Sequence, residues 1–117
     1  MDRCESLPSD PSEGEITPRE LQRLLARSSD VVMLDVREEW EYSITHIEGA
    51  RLIPLRELPF RLHELDPRSP LVVYCHHGMR SYDATCFLRN VGFSVVKNLA
   101  GGIDRWSVDI DATLPRY

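Results

Sequence analysis

The sequence has no apolar run long enough to cross a bilayer, and its first residues lack a signal-peptide pattern. Cysteine is scarce. Three cysteines, an odd number with no framework spacing, predict reduced thiols in a cytosol, so a cytoplasmic location is expected. The paired Cys/His spacing of a structural zinc site is missing too, and no metal is expected. There is no basic excess: a net charge of −5 and a pI near 5.3 argue against nucleic acid or an anionic membrane as the main partner. No segment repeats. What is present is an ordinary globular composition, 42% hydrophobic, at a length of 117 residues that suits one domain with one real core.

One stretch organises the rest: Leu71–Ser81, reading LVVYCHHGMRS. Leu71 to Tyr74 form a short apolar run rich in strand formers, bounded upstream by Pro67 and Pro70, which predicts a fully buried strand. Cys75 ends it. After Ser81 the apolar residues Ala84, Phe87, Leu88 and Val91 recur at helical spacing. The pattern is strand, tight loop, helix, with Cys75 at the carboxyl end of the strand, where ligands bind in open α/β sheets. Ser81 is expected to cap the helix. The free N–H groups and dipole of the helix would then point back at Cys75, and the loop amides would form an anion nest. Gly78 permits positive φ in the loop, and Arg80 adds a planar fork of donors for oxyanions. A free thiol has a pKa of about 8.5, and helix N-termini and nearby cations lower it. The expected chemistry is a nucleophilic thiolate beside a small anion pocket.

A cysteine at a strand end is by itself more often a small buried hydrophobe than a nucleophile. Gly78, Arg80 and Ser81 tip the reading toward catalysis. His76 and His77 are adjacent and are expected to point apart, one toward the loop or substrate and one toward solvent.

Residues 1–14, MDRCESLPSDPSEG, read as a disordered leader in which Cys4 is incidental. Thr17-Pro18 with Glu20 is a helix start, and Leu21, Leu24 and Leu25 mark its apolar face. Val31 to Leu34 are an unbroken apolar run, a strand buried on both faces. Asp35 lies at its carboxyl end, which brings it toward Cys75. Asp35 and Arg37 either help position the catalytic loop or form a cap and a structural ion pair. Glu38 to Tyr42 can form one or two helical turns, and His46 reads as a structural histidine rather than a base. Arg51 to Ile53 form a strand stopped by Pro54. Leu55, Leu58, Leu62 and Leu65 keep helical spacing across Pro59, which kinks or restarts that helix. Gly92 ends the main helix, Ser94 to Lys97 form another strand, and Gly101-Gly102 are a flexible turn before a short helix carrying Trp106. Cys86 reads as an ordinary flank residue of the main helix. The alternation implies an α/β fold, a mostly parallel sheet with helices on both faces.

The run CHHGMRS resembles the active-site loop of rhodanese-type sulfurtransferases: Cys, four residues, Arg, then Ser opening a helix. Upstream, LDVREEWEYSITHIEGARLIP resembles the family's Asp-Val-Arg, Glu-Tyr and His-Ile-x-Gly-Ala signature. Downstream, VVKNLAGGIDRW resembles its Leu-x-Gly-Gly-x-x-x-Trp close, and DIDATLPRY looks like the end of rhodanese modules attached to sulfur-carrier adenylating enzymes. The three motifs stand in order over about residues 15 to 107, and the domain is expected to occupy 15–117. The resemblance implies sulfur transfer from thiosulfate or a persulfide to a thiol or a sulfur-carrier protein through a Cys75 persulfide, without cofactor or metal. The expected site is catalytic Cys75, a substrate loop of His76, His77, Gly78, Met79 and Arg80, and supporting Ser81, Asp35 and Arg37. Two rivals stay open. One is a Cys-dependent phosphatase, disfavoured because its loop has five residues between Cys and Arg and this one has four. The other is a non-catalytic binding or regulatory module on the same fold.

Overall fold

The computed structural model describes residues 14–117. The leader expected over residues 1–14 therefore falls, except for Gly14, outside the described residues. Helix α1, Pro18–Arg27, starts where the sequence places it. The Thr17 hydroxyl accepts from the Glu20 N–H at 3.1 Å, and the Glu20 carboxylate accepts from the Thr17 N–H at 2.9 Å. Strand β1, Glu15–Ile16, is two residues long, too short to leave a sequence pattern. Next come β2, Val32–Asp35, α2, Glu39–Ile44, and β3, Arg51–Leu52. The leucines beyond Pro54 make two 3-10 segments, Leu55–Phe60 and Leu62–Glu64, with Pro59 inside the first. A proline lacks the N–H that an α-helix needs there. The chain then forms β4, Leu71–Tyr74, α3, Met79–Asn90, β5, Val96–Leu99, and α4, Gly102–Asp109. No helix among the described residues is long and apolar enough to cross a membrane.

The strand order is β1-β5-β4-β2-β3, and every neighbouring pair is parallel. The expected mostly parallel sheet is thus parallel throughout. Strand β4 lies at its centre, and all four of its residues are buried. Alternation sorts them to the two faces. Leu71, Val73 and Cys75 join a core with Ala84 and Leu88 of α3 and Leu58 of the 3-10 segment. Val72 and Tyr74 join the opposite core with Leu21 of α1 and Ile103 and Trp106 of α4. Burying one such aliphatic side chain contributes about 1.5–3 kcal/mol. These two cores fix β4, and so they fix where Cys75 leaves the sheet.

The strand expected over Ser94 to Lys97 sits two residues later. Ser94 and Val95 are exposed, and Val96 pairs in register with Leu71. The shift carries Asn98 into the sheet beneath the loop, with consequences described next.

Candidate active site

Cys75 leaves the end of β4 with 1% of its surface exposed. Two amides and a hydroxyl converge on its sulfur: the Gly78 N–H donates at 3.1 Å, the Ser81 N–H donates at 3.3 Å, and the Ser81 hydroxyl oxygen lies 3.3 Å away. The two amides are among the first-turn N–H groups that a helix leaves without intrahelical partners. Gly78, at φ +110°, takes the left-handed turn that starts α3 one residue later. Ser81 therefore does not cap the helix, as its residue type led us to expect. It stands third in α3, and its hydroxyl is turned inward because Asn98 Oδ1 lies 2.5 Å from it. The Asn98 amide is oriented by donating to the Gly78 carbonyl at 3.1 Å and to Glu15 Oε2 at 2.9 Å. Asn98 is buried, and no motif reading singled it out.

The far side of the loop is held by α4. The Ile103 N–H donates to the Cys75 carbonyl at 2.9 Å, and the Asp104 N–H to the His76 carbonyl at 3.1 Å. Gly101 and Gly102 both have positive φ. The pair expected as a flexible turn is in fact a close backbone contact that presents the first amides of α4 to the loop.

Asp35 and Arg37 form a fully buried ion pair. Arg37 Nη2 donates to Asp35 Oδ2 at 2.6 Å and Nε to Oδ1 at 2.9 Å. Removing one partner of such a pair strands a charge in the core. Arg37 also donates to the Thr45 carbonyl at 2.7 Å and, through Nη1, to the Tyr117 hydroxyl at 2.9 Å. That hydroxyl in turn donates to Glu41 Oε2 at 2.7 Å. Glu41, 3% exposed, receives the Arg80 guanidinium on both oxygens, at 2.6 and 2.8 Å. An unbroken chain of polar contacts thus joins Asp35 at the end of β2 to Arg80 in the loop. Burial alone would push the Glu41 carboxyl up, but hydrogen bonds from Arg80, the Glu38 amide and Tyr117 outweigh it and hold the group down at about 2. Arg80 is held above its ordinary value by the same pairing and by the field of Cys75.

The two loop histidines do not point apart. Their rings stack at 3.9 Å, and Tyr117 stacks on the other side of His76, also at 3.9 Å. Burial, followed by the neighbouring His77, lowers the pKa of His76. His77 is exposed and lies 3.9 Å from Asp104. His76, His77 and Asp104 bring possible metal-ligating atoms within 4.8 Å of one another, but Arg116 already pairs with both Asp104 oxygens. Met79 is 81% exposed at the head of α3, on the rim of the site rather than its floor. His46 is structural: its Nδ1 lies 3.0 Å from the Tyr42 carbonyl oxygen. Cys75 is the free cysteine among the described residues. Cys86 is fully buried in α3.

The site residues to which the sequence assigned no role are Glu41, Asn98 and Tyr117. Glu41 stands in the Glu-Tyr of the upstream signature, on the stretch expected as one or two helical turns. Tyr117 had one signal, the resemblance of the closing DIDATLPRY to the end of rhodanese modules attached to sulfur-carrier adenylating enzymes.

The family model for the rhodanese-like domain matches residues 17–109. A sulfurtransferase of Allochromatium vinosum is 36% identical over 94 residues, covering 80% of this chain and 88% of that protein. The thiosulfate sulfurtransferase GlpE of Ectopseudomonas mendocina is 35% identical, covering 78% and 82%. Among solved structures, the human single-domain sulfurtransferase TSTD1 superposes with a TM-score of 0.73 at 28% identity, covering 82% of this chain and 96% of that one. A parallel sheet with a cysteine at the end of its central strand, a helix whose first amides face that sulfur, and a match across most of the chain agree: the protein belongs to the rhodanese-like domain family.

Proposed function

We propose that this rhodanese-type sulfurtransferase carries a sulfane sulfur through a persulfide on Cys75. The observation that supports this reading is the convergence of the Gly78 amide, the Ser81 amide and the Ser81 hydroxyl on one sulfur atom. Fixed donors aimed at a developing negative charge cost no reorganisation when that charge forms. The Ser81 hydroxyl has one proton, and its shorter contact gives that proton to Asn98 Oδ1. Its oxygen can then accept from the thiol, and a turn of the O–H brings a donor to the thiolate.

With thiosulfate, the Cys75 thiolate attacks the outer sulfur. A sulfur–sulfur bond forms to Cys75, the bond from the outer sulfur to the sulfonate sulfur breaks, and sulfite leaves with the electron pair. The persulfide carries one negative charge on its terminal sulfur, facing the loop donors. An acceptor thiolate, on a small molecule or on a carrier protein, or cyanide in an assay, then attacks that terminal sulfur, and Cys75 departs as thiolate. A persulfide donor loads Cys75 by the same exchange, with a thiolate leaving in place of sulfite. Asp35 and Arg37 support the site from beneath, through Tyr117 and Glu41. His76, His77 and Gly78 shape the loop, Met79 stands at its rim, and Arg80 meets an anionic donor. The acidic protein acts in this reading on small donors and a thiol or carrier acceptor in the cytoplasm, with no cofactor.

Incubation with thiosulfate followed by intact-mass measurement tests the proposal. The expected result is a gain of one sulfur atom that cyanide removes. No gain with thiosulfate or with an alkyl persulfide would refute it.

A further inference from the structure

Each oxygen of the Glu41 carboxylate holds two donors, and they are of two kinds. Oε1 takes Arg80 Nη1 at 2.6 Å and the Glu38 amide at 3.0 Å. Oε2 takes Arg80 Nη2 at 2.8 Å and the Tyr117 hydroxyl at 2.7 Å. One donor on each oxygen belongs to Arg80, whose side chain is 38% exposed at the loop. The other belongs to the fixed frame. The Glu38 amide is at the cap of α2, and Tyr117 is held by Arg37 and stacked on His76. If Arg80 departs, neither oxygen of this buried carboxylate is left bare, so the usual penalty for stranding a buried charge is reduced.

We propose that Glu41 is a specificity-determining residue that competes with anionic donors for Arg80, and that Tyr117 is the positioning residue that lets Glu41 release it. The inference rests on the sulfurtransferase reading above. Paired with Glu41, Arg80 presents little net charge to an incoming anion. A dianionic sulfonate such as thiosulfate recruits the guanidinium away from Glu41, and the Glu38 amide and Tyr117 hydroxyl hold the carboxylate left behind. A donor without a sulfonate gains nothing from that exchange and loads while Arg80 stays on Glu41. The pair thereby grades donors by their charge.

The two partners of the carboxylate give opposite expectations. Glu41→Gln removes the competing charge, so KM for thiosulfate should fall by roughly three- to tenfold. Tyr117→Phe keeps the ring on His76 but removes a donor that stabilises the free carboxylate. Glu41 then holds Arg80 more tightly, and KM for thiosulfate should rise by roughly three- to tenfold, the effect of about one hydrogen bond. For an alkyl persulfide without a sulfonate, both variants should stay within about twofold of wild type. In the Arg80→Ala background, Tyr117→Phe should no longer change KM for thiosulfate. A merely structural role would move both variants in the same direction and for both donors. That outcome, or an unchanged thiosulfate KM in Tyr117→Phe, overturns the inference while the wild-type protein still gains its sulfur. If Glu41→Gln fails to fold, the Tyr117→Phe comparison in the two Arg80 backgrounds decides alone. If the wild-type protein gains no sulfur from either donor, it is the underlying reading that fails.

Discussion

The backbone of Gly102 lies directly against the carbonyl groups of Cys75 and His76. A Cβ built on Gly102 would come within 2.5 Å of the Cys75 oxygen and 2.4 Å of the His76 oxygen. Both obstructions are backbone, so no side chain can swing aside. The contact lets the Ile103 amide reach the Cys75 carbonyl. Gly102→Ala should therefore destabilise the fold by about 2 kcal/mol or more, through clash and through strain at φ +63°. It should also lower sulfur transfer at temperatures where the protein remains folded, because the loop must shift. Gly92→Ala is the control: φ is +104°, but nothing lies within 4 Å of the added Cβ. Only the φ penalty applies there, and activity should be preserved. Melting curves and steady-state rates on the pair check this. Equal activity losses in the two variants would contradict it.

Arg80 gives a second expectation. Arg80→Ala removes the fork that meets an anionic donor. A charge-assisted hydrogen bond is typically worth about 1.5–3 kcal/mol, so kcat/KM for thiosulfate should fall by roughly ten- to over a hundredfold. Arg80→Lys keeps the charge and loses the two-point geometry, and should fall between. Kinetics with thiosulfate beside an alkyl persulfide, with melting temperature recorded, separate recognition from scaffolding. Equal losses for both donors and a clearly lower melting temperature would leave Arg80 as a brace for Glu41 alone.

Acid stability follows from Glu41. Its folded pKa, about 2, lies below its ordinary 4.5. A group depressed in this way contributes stability that is fully present above about pH 4.5 and is lost as pH falls toward 2. The full contribution is on the order of 3 kcal/mol, from about 1.4 kcal/mol per pKa unit. Denaturant unfolding of wild type and Glu41→Gln between pH 6 and pH 3 should show a gap that is widest at the upper end and narrows below about pH 4.5. A gap that stays constant across that range would assign the effect of the substitution to packing instead.

Much of this architecture was legible because it is local. Thr17, Pro18 and Glu20 spell a capped helix start within one turn, and the alternation through Leu71–Cys75 dictates which residues face which core. The loop from Cys75 to Ser81 was legible for the same reason. Four kinds of feature were not. Ser81 is a residue type favoured at caps, but Gly78 turned the chain earlier, and only the three-dimensional path sends the Ser81 hydroxyl to Cys75 and Asn98. Pro59 signals an interruption without saying that both sides would be 3-10. Asn98 reads as part of a strand end until the parallel register with β4 puts it under Gly78. Glu41 and Tyr117 meet across 76 positions in sequence. Periodicity carries no information about such a pairing. The choice left open for Asp35 and Arg37 has a composite answer in the geometry: they form a buried ion pair, and that pair is also the base of the chain of contacts leading to Arg80.

The most direct test of the account is to locate the transferred sulfur. Wild-type protein, Cys75→Ser and Cys86→Ser would each be treated with thiosulfate, digested without reductant and read by tandem mass spectrometry. The account predicts one added sulfur on the peptide containing Cys75 in wild type and in Cys86→Ser. It predicts none in Cys75→Ser, whose melting temperature should stay near that of wild type because the swap changes little volume. A sulfur found on Cys86, or a Cys75→Ser protein that still loads and transfers, would contradict it.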